Sequence, residues 1–215
     1  MALRPFTVLA GRAAPLMLAN VDTDVIIRVE RMTSADPATL APWAFEALRY
    51  GADGQPRADF VLNDEVYAGA PILLADDNFG CGSSREPAVW AVMGLGFRCV
   101  IAPSFGDIFR ANCLTNGVLP VALDRQAVAE LAGVARRLEQ VMVDLPAQQV
   151  RAAGRSWSFE IGAAHKLMLV EGADELALSL RFTDQVTAWE ARDRRQRPWA
   201  WPEPVSADAG KVEQR

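Results

Sequence analysis

Residues 70–75 read APILLA, and residues 76–86 continue as DDNFGCGSSRE before helical spacing sets in over Ala88–Leu95. A short apolar run without polar alternation is the pattern of a strand buried on both faces. The glycine-rich polar stretch after it is a loop, and Val89, Val92 and Met93 share one side of the helix that follows. The same order recurs downstream. Phe97–Ala102 (FRCVIA) predicts a second strand, ended by Pro103-Ser104. Asp107–Leu114 predicts a short helix with an acid at its start, Gly117 breaks it, and Val118–Leu123 predicts a third strand. Asp124 is placed to cap a helix over Arg125–Gln140, where Val128, Leu131, Val134 and Leu138 form one stripe. Strands separated by helices of this length predict an α/β fold with a mostly parallel central sheet flanked by helices.

Beyond this core, Val141–Leu145, Gln149–Ala152 and Trp157–Ile161 predict short strands, with Gly154 turning between the last two. Asp184–Arg194 predicts an amphipathic helix. One domain is expected over 1–195, followed by a mobile tail over 196–215, rich in proline, tryptophan and charge but without periodicity. Residues 34–60 carry Pro37, Pro42, Gly51, Gly54 and Pro56 around the segment PWAFEALRY. They read as an excursion from the core, either a lid over a site or a plain surface loop.

Bulk properties narrow the partners. The 215 residues carry a net charge of -5, and Lys and Arg do not gather into the stripe that phosphate-backbone binding needs. Nucleic acid is therefore not an expected partner. No apolar run approaches the roughly 20 residues of a membrane helix, so no membrane partner is expected either. The apolar, basic N-terminal stretch is punctuated by Pro5, Gly11 and Pro15 and reads as folded protein rather than a targeting signal. Cys81, Cys99 and Cys113 are odd in number and form no CxxC, which points to a reducing, cytoplasmic compartment. With the single His165 far away in sequence, they predict no metal or iron–sulfur site made by this chain alone.

The loop Asn78–Glu86 carries the chemistry. Gly80 and Gly82 permit positive φ and close backbone approach, so amides from Asn78, Gly80, Cys81 and Gly82 are expected to turn inward as an anion nest. A helix start adds free N–H groups, and Arg85 adds a planar fork that matches a carboxylate. Ser83-x-x-Glu86 also has the spacing of a capping box, which would leave one serine only a structural task. Pro87 bears on that: a cap at Ser84 puts it at N3, where no N–H is needed, and leaves Ser83 free. The pattern lacks the last glycine of GxGxxG, a GK[ST] and a GxSxG, so dinucleotide, P-loop and nucleophile-elbow readings fall away.

Two further stretches attend this loop. Asn20-Val21-Asp22-Thr23-Asp24 precedes Val25-Ile26-Ile27 and either forms an Asx-turn cap or places a carboxylate in the cleft. In residues 102–112, Ser104, Arg110 and Asn112 are candidate wall or contact groups on the same sheet edge, while Phe105 and Phe109 read as core.

The strings NVDTDVII (20–27), DNFGCGSSRE (77–86), VIAPSFGDIF (100–109) and NGVLPV (116–121) together resemble the small-subunit family of 3-isopropylmalate dehydratases, in the aconitase superfamily. The likeness runs from about Thr7 to Glu190. It implies a swivelling β/β/α domain like the aconitase C-terminal domain, closing over a large subunit that bears a [4Fe–4S] cluster. It also implies a hydro-lyase of the leucine pathway that moves a hydroxyl between adjacent carbons of a 2-hydroxy di-acid, active only with that partner. On this resemblance Ser83 is the base, Ser84 orients the substrate and Arg85 clamps a carboxylate. Asp24 lies near the acid–base network, and Thr23 joins it in substrate binding. Three departures bear on the substrate: Pro87 where the family usually has histidine, Arg28 where it usually has proline, and AAHKLMLVEGAD at 163–174. Arg28 and Ser104 are expected at the rim. Methylmalate, dimethylmalate or homoaconitate are alternative substrates. A non-catalytic dicarboxylate-binding or scaffold subunit is the alternative of another class.

Overall fold

The computed structural model describes residues 3–32 and 36–201 and resolves them into two compact units, the first ending at Asp174 and the second starting at Glu175. The first unit begins with β1 (Val8–Gly11), β2 (Ala13–Leu16) and a single helical turn α1 (Thr23–Ile26). Short helices α2 (Pro37–Leu40) and α3 (Glu46–Arg49) follow. Then come β3 (Ile72–Ala75), α4 (Glu86–Gly94), β4 (Cys99–Ala102), α5 (Asp107–Thr115), β5 (Leu119–Ala122) and α6 (Arg125–Arg136). A meander, β6 (Val141–Asp144), β7 (Gln149–Ala152) and β8 (Arg155–Ser158), leads into α7 (Ala163–Glu171).

The strands form two sheets. β2-β3-β4-β5 is parallel throughout, and β1-β6-β7-β8 is antiparallel throughout. All residues of β2, β3 and β4 are buried, because both faces of the parallel sheet are covered. The pleat sends neighbours to opposite sides. Ile72, Leu74, Cys99 and Ile101 meet α6 and the apolar face of the antiparallel sheet, while Leu73, Ala75, Val100 and Ala102 meet α4 and α5. Pro120 fits in β5 because β5 is an edge strand: Leu119 donates to the Arg98 carbonyl, and the proline nitrogen faces away from β4. This is the α/β arrangement, parallel sheet with flanking helices, that the sequence and its resemblance predicted.

Three elements differ in extent. The helix expected over 125–140 stops at Arg136, and Leu138 leaves the stripe for a left-handed φ of 59° with its side chain exposed. The chain must reverse there to enter β6 five residues after the helix ends. The strand expected over 157–161 is shifted to Arg155–Ser158, since Ala153 and Gly154 both take positive φ and make a two-residue turn that sets Arg155 opposite Ala152. Helix α7 was not anticipated, because its apolar residues run together as LMLV instead of marking a stripe. Gly172 ends it in the left-handed region, where any Cβ would overlap the Leu3 carbonyl.

Within the domain expected over 1–195, the segment from Glu175 makes a compact unit of its own. That unit holds α8 (Glu175–Leu180) and α9 (Thr183–Gln196). Arg197 and the Trp201 indole N–H both close on the Asp193 carboxylate, so 197–201 are held to α9; the rest of the expected tail, 202–215, lies outside the described residues. Of the 34–60 excursion, the described part carries α2 and α3. Arg31 ties α3 to the chain before it by a fork-to-fork pair with Glu46 and by stacking 3.6 Å over Trp43. Among the described residues no helix is long and apolar enough to cross a membrane.

Candidate active site

The β3–α4 loop leaves the carboxyl edge of the parallel sheet, where ligands gather in open α/β folds. Two neighbouring loops are stitched to it. Toward the β2–α1 connection, the Gly80 N–H donates to the Val21 carbonyl (2.7 Å) and the Thr23 N–H to the Cys81 carbonyl (3.0 Å). Toward the β4–α5 connection, the Phe79 N–H donates to the Ser104 carbonyl (3.1 Å) and the Gly106 N–H to the Phe79 carbonyl (3.0 Å). The Asn78 N–H donates to Ser104 Oγ (2.8 Å), and the Asn78 side-chain amide to Asn20 Oδ1 (2.9 Å). Asp76 and Asp77, just before, both pair with Arg125 at the start of α6.

Gly80 is required at its position. Its φ is +72°, and an added Cβ would overlap the Phe109 ring, which itself packs edge-on against Phe79 at 5.4 Å. Gly80→Ala is expected to destabilise the fold by about 2–4 kcal/mol, from combined overpacking and left-handed strain. A thermal melt showing no loss would mean that the loop is not pinned this way.

These ties revise the expected nest. The amides of Asn78 and Gly80 are engaged in holding the loop, Cys81 is tied to Thr23 through its carbonyl alone, and Ser104 anchors the loop while staying exposed. The N–H groups of the loop without an acceptor among the described residues include those of Cys81, Gly82, Ser83, Ser84 and Arg85. The N-cap of α4 is Arg85, with no side-chain cap, which sets Pro87 in the first turn where its missing N–H costs nothing. Neither serine therefore serves as a cap, and both are exposed. Glu86, the other half of the expected capping box, instead accepts from Asn116 Nδ2 at 2.8 Å.

Arg85 is the focus of the arrangement. Its Nη2 lies 2.9 Å from Asp24 Oδ1 and its Nη1 lies 3.6 Å from Met32 Sδ. Its Nε is buried and has no acceptor, alone among the side-chain nitrogens and oxygens of the described residues. Asp24 reaches this position because Asp22 caps α1, accepting from the Val25 N–H at 2.7 Å, so one acid makes the turn and the other faces Arg85. The Asx-turn cap of the NVDTD stretch is thus formed by Asp22, and Asp24 is the acid left to pair with Arg85.

One expected site residue turns inward and another is paired at the surface. Thr23 is 1% exposed and donates its hydroxyl to the Ser83 carbonyl at 2.9 Å, inside the protein rather than toward a ligand. Arg28 lies beside Glu30 at 3.5 Å, and both are largely exposed. Asp24, Ser83, Ser84 and Arg85 are the residues brought to one open surface. Met32 had no signature in the sequence; nothing in its surroundings distinguishes it from an ordinary apolar residue.

The cysteines do not suit a cluster. Cys99 and Cys113 are buried in opposite core layers and burial pushes both thiols up, while Cys81 stands apart in the loop. Among the described residues no three His, Cys, Asp or Glu side chains gather to hold a metal ion. A thiol reagent is expected to modify one cysteine per native chain, Cys81, and all three in denaturant. Prompt native labelling of two or three would contradict the packing of the core.

Comparison with known proteins agrees with this fold. Residues 3–126 match the family described as the aconitase C-terminal domain. A protein of Rhodospirillum centenum named 3-isopropylmalate dehydratase small subunit is 46% identical over 198 residues, covering 91% of this chain and 98% of that one. One of the same name from Cupriavidus necator is 45% identical over 203 residues, covering 92% and 98%. The crystal structure of a 3-isopropylmalate dehydratase from Methanocaldococcus jannaschii superposes with a TM-score of 0.64 at 26% identity, covering 84% of this chain and 99% of that one.

Proposed function

The chain belongs to the aconitase superfamily, in the 3-isopropylmalate dehydratase small-subunit family, and from that premise we propose that it is the small subunit of a cytoplasmic hydro-lyase converting 2-isopropylmalate to 3-isopropylmalate. The observation that carries this reading is the orphaned Arg85 Nε beside the unpaired amides of Gly82–Arg85. A buried donor without an acceptor costs about 1–3 kcal/mol, and a carboxylate-bearing ligand would answer it.

On this chain the chemistry divides by residue. Arg85, whose Nη2 also pairs with Asp24, holds one substrate carboxylate. Ser84 orients the substrate, and Ser83 Oγ takes the proton from the carbon next to the carboxylate. A serine is a weak base in water, so it must act as an alkoxide, held by the neighbouring amides and guanidinium in a site from which water is excluded. The exposed serines of the free chain supply no such dryness, which supports a covering partner: the large subunit. The large subunit's [4Fe–4S] cluster would supply Lewis-acid polarisation of the substrate's carboxyl and departing hydroxyl. Rehydration with the opposite regiochemistry returns the proton from Ser83.

Arg28 bears on substrate choice. A free arginine at the rim would favour a more polar di-acid such as homoaconitate, but one beside Glu30 offers a weaker seat for a further carboxylate. The test is anaerobic reconstitution with an iron–sulfur large subunit and a screen of 2-isopropylmalate against methylmalate, dimethylmalate and homoaconitate. A complex that forms yet turns over none of them would sink the proposal.

A further inference from the structure

We infer that Thr23 is a positioning residue for the reaction, acting on Ser83 through the backbone rather than touching substrate; the inference rests on the reading of Ser83 as base. Three observations carry it. The Thr23 side chain is 1% exposed, so it has no surface to offer a ligand. Its two donors both go to the loop, the hydroxyl to the Ser83 carbonyl at 2.9 Å and the N–H to the Cys81 carbonyl at 3.0 Å. Between those carbonyls stands Gly82, at φ +88°, where an added Cβ would come 3.3 Å from Asp22 Cβ and 3.8 Å from Thr23 Oγ1.

The geometry is a two-point clamp. It grips the carbonyls on either side of Gly82, the residue best able to rotate its peptide planes. The Cys81 carbonyl shares a peptide plane with the Gly82 N–H and the Ser83 carbonyl one with the Ser84 N–H, and neither N–H carries another tie among the described residues, so the clamp is what fixes their direction. These are the N–H groups that would steady charge on Ser83 Oγ, and such donors work only when already aimed. Without the hydroxyl, the peptide after Ser83 is free to turn while the amide tie at Cys81 persists. The loop would stay attached but lose its aim.

Thr23→Val keeps the shape and removes only the hydroxyl; Thr23→Ser keeps the hydroxyl. Both are to be assayed in the reconstituted complex beside Ser83→Ala. Thr23→Val is expected to lower kcat by about 10–100-fold with KM nearly unchanged, the scale of an angstrom-level misplacement. Thr23→Ser should recover most of that rate. Co-elution with the large subunit should be as in the unsubstituted chain. If Thr23→Val does not fold, Thr23→Ala against Thr23→Ser makes the same comparison. Full turnover in Thr23→Val, a raised KM at unchanged kcat, or a Thr23→Ser that fails to recover would each overturn the inference. Its failure is separable from that of the base assignment: an inactive Ser83→Ala beside a fully active Thr23→Val defeats the clamp alone, whereas an active Ser83→Ala defeats the base.

Discussion

Replacing Ser83 with alanine is expected to lower kcat of the reconstituted complex by about 10²–10⁴-fold, the range for loss of a proton-transfer group. The loop should survive the change, because it is the Ser83 carbonyl and not its hydroxyl that Thr23 holds. The side chain is exposed and caps nothing, so stability should stay within about 0.5 kcal/mol and the melting temperature should barely move. KM should change little, since the seat proposed at Arg85 and Ser84 is left untouched. Turnover, co-elution with the large subunit and a thermal melt on the same preparation decide the matter. Undiminished turnover would pass the role of base to another group, with Ser84 the nearest.

The Arg85→Gln variant separates catalysis from scaffolding. A substrate carboxylate that loses its charged fork should cost roughly 2–5 kcal/mol of transition-state binding, read as kcat/KM. Stability should move the other way or not at all. The pair with the half-exposed Asp24 contributes about 0–1 kcal/mol, and the change removes a buried Nε that has no acceptor. Arg85→Lys should remain impaired, because a point charge cannot reproduce two parallel donors. A scaffold subunit would show the reverse pattern, a lowered melting temperature with activity of the complex intact. A dicarboxylate-binding module would bind the di-acid without the large subunit and lose that binding in the variant.

Much of this was legible in the chain itself. APILLA, FRCVIA and VLPVAL announce strands covered on both faces, and β3, β4 and β5 lie inside those runs. Ser83, Ser84 and Arg85 stand out because glycine, hydroxyl and guanidinium meet between a strand and a helix. What was not legible depends on contacts between segments distant in sequence. Asn78 and Gly80 carry the signature of an anion nest, yet their amides find Ser104 and Val21 first. Thr23 looks like a ligand-facing residue until its hydroxyl is seen to reach a carbonyl 60 positions away. Met32 gives no hint of lying beside Arg85. The helix cap stands one residue beyond Ser84, the position that Pro87 at N3 would favour: Arg85 is the cap, which sets Pro87 in the first turn.

The open placement of the two serines has a consequence for the cell. On the proposed mechanism a hydroxyl bathed in water stays protonated, so a small subunit made in excess of its partner would be chemically quiet toward other hydroxy acids. Reactivity would be switched on only by assembly, and an imbalance in the synthesis of the two chains would waste protein without scrambling metabolites.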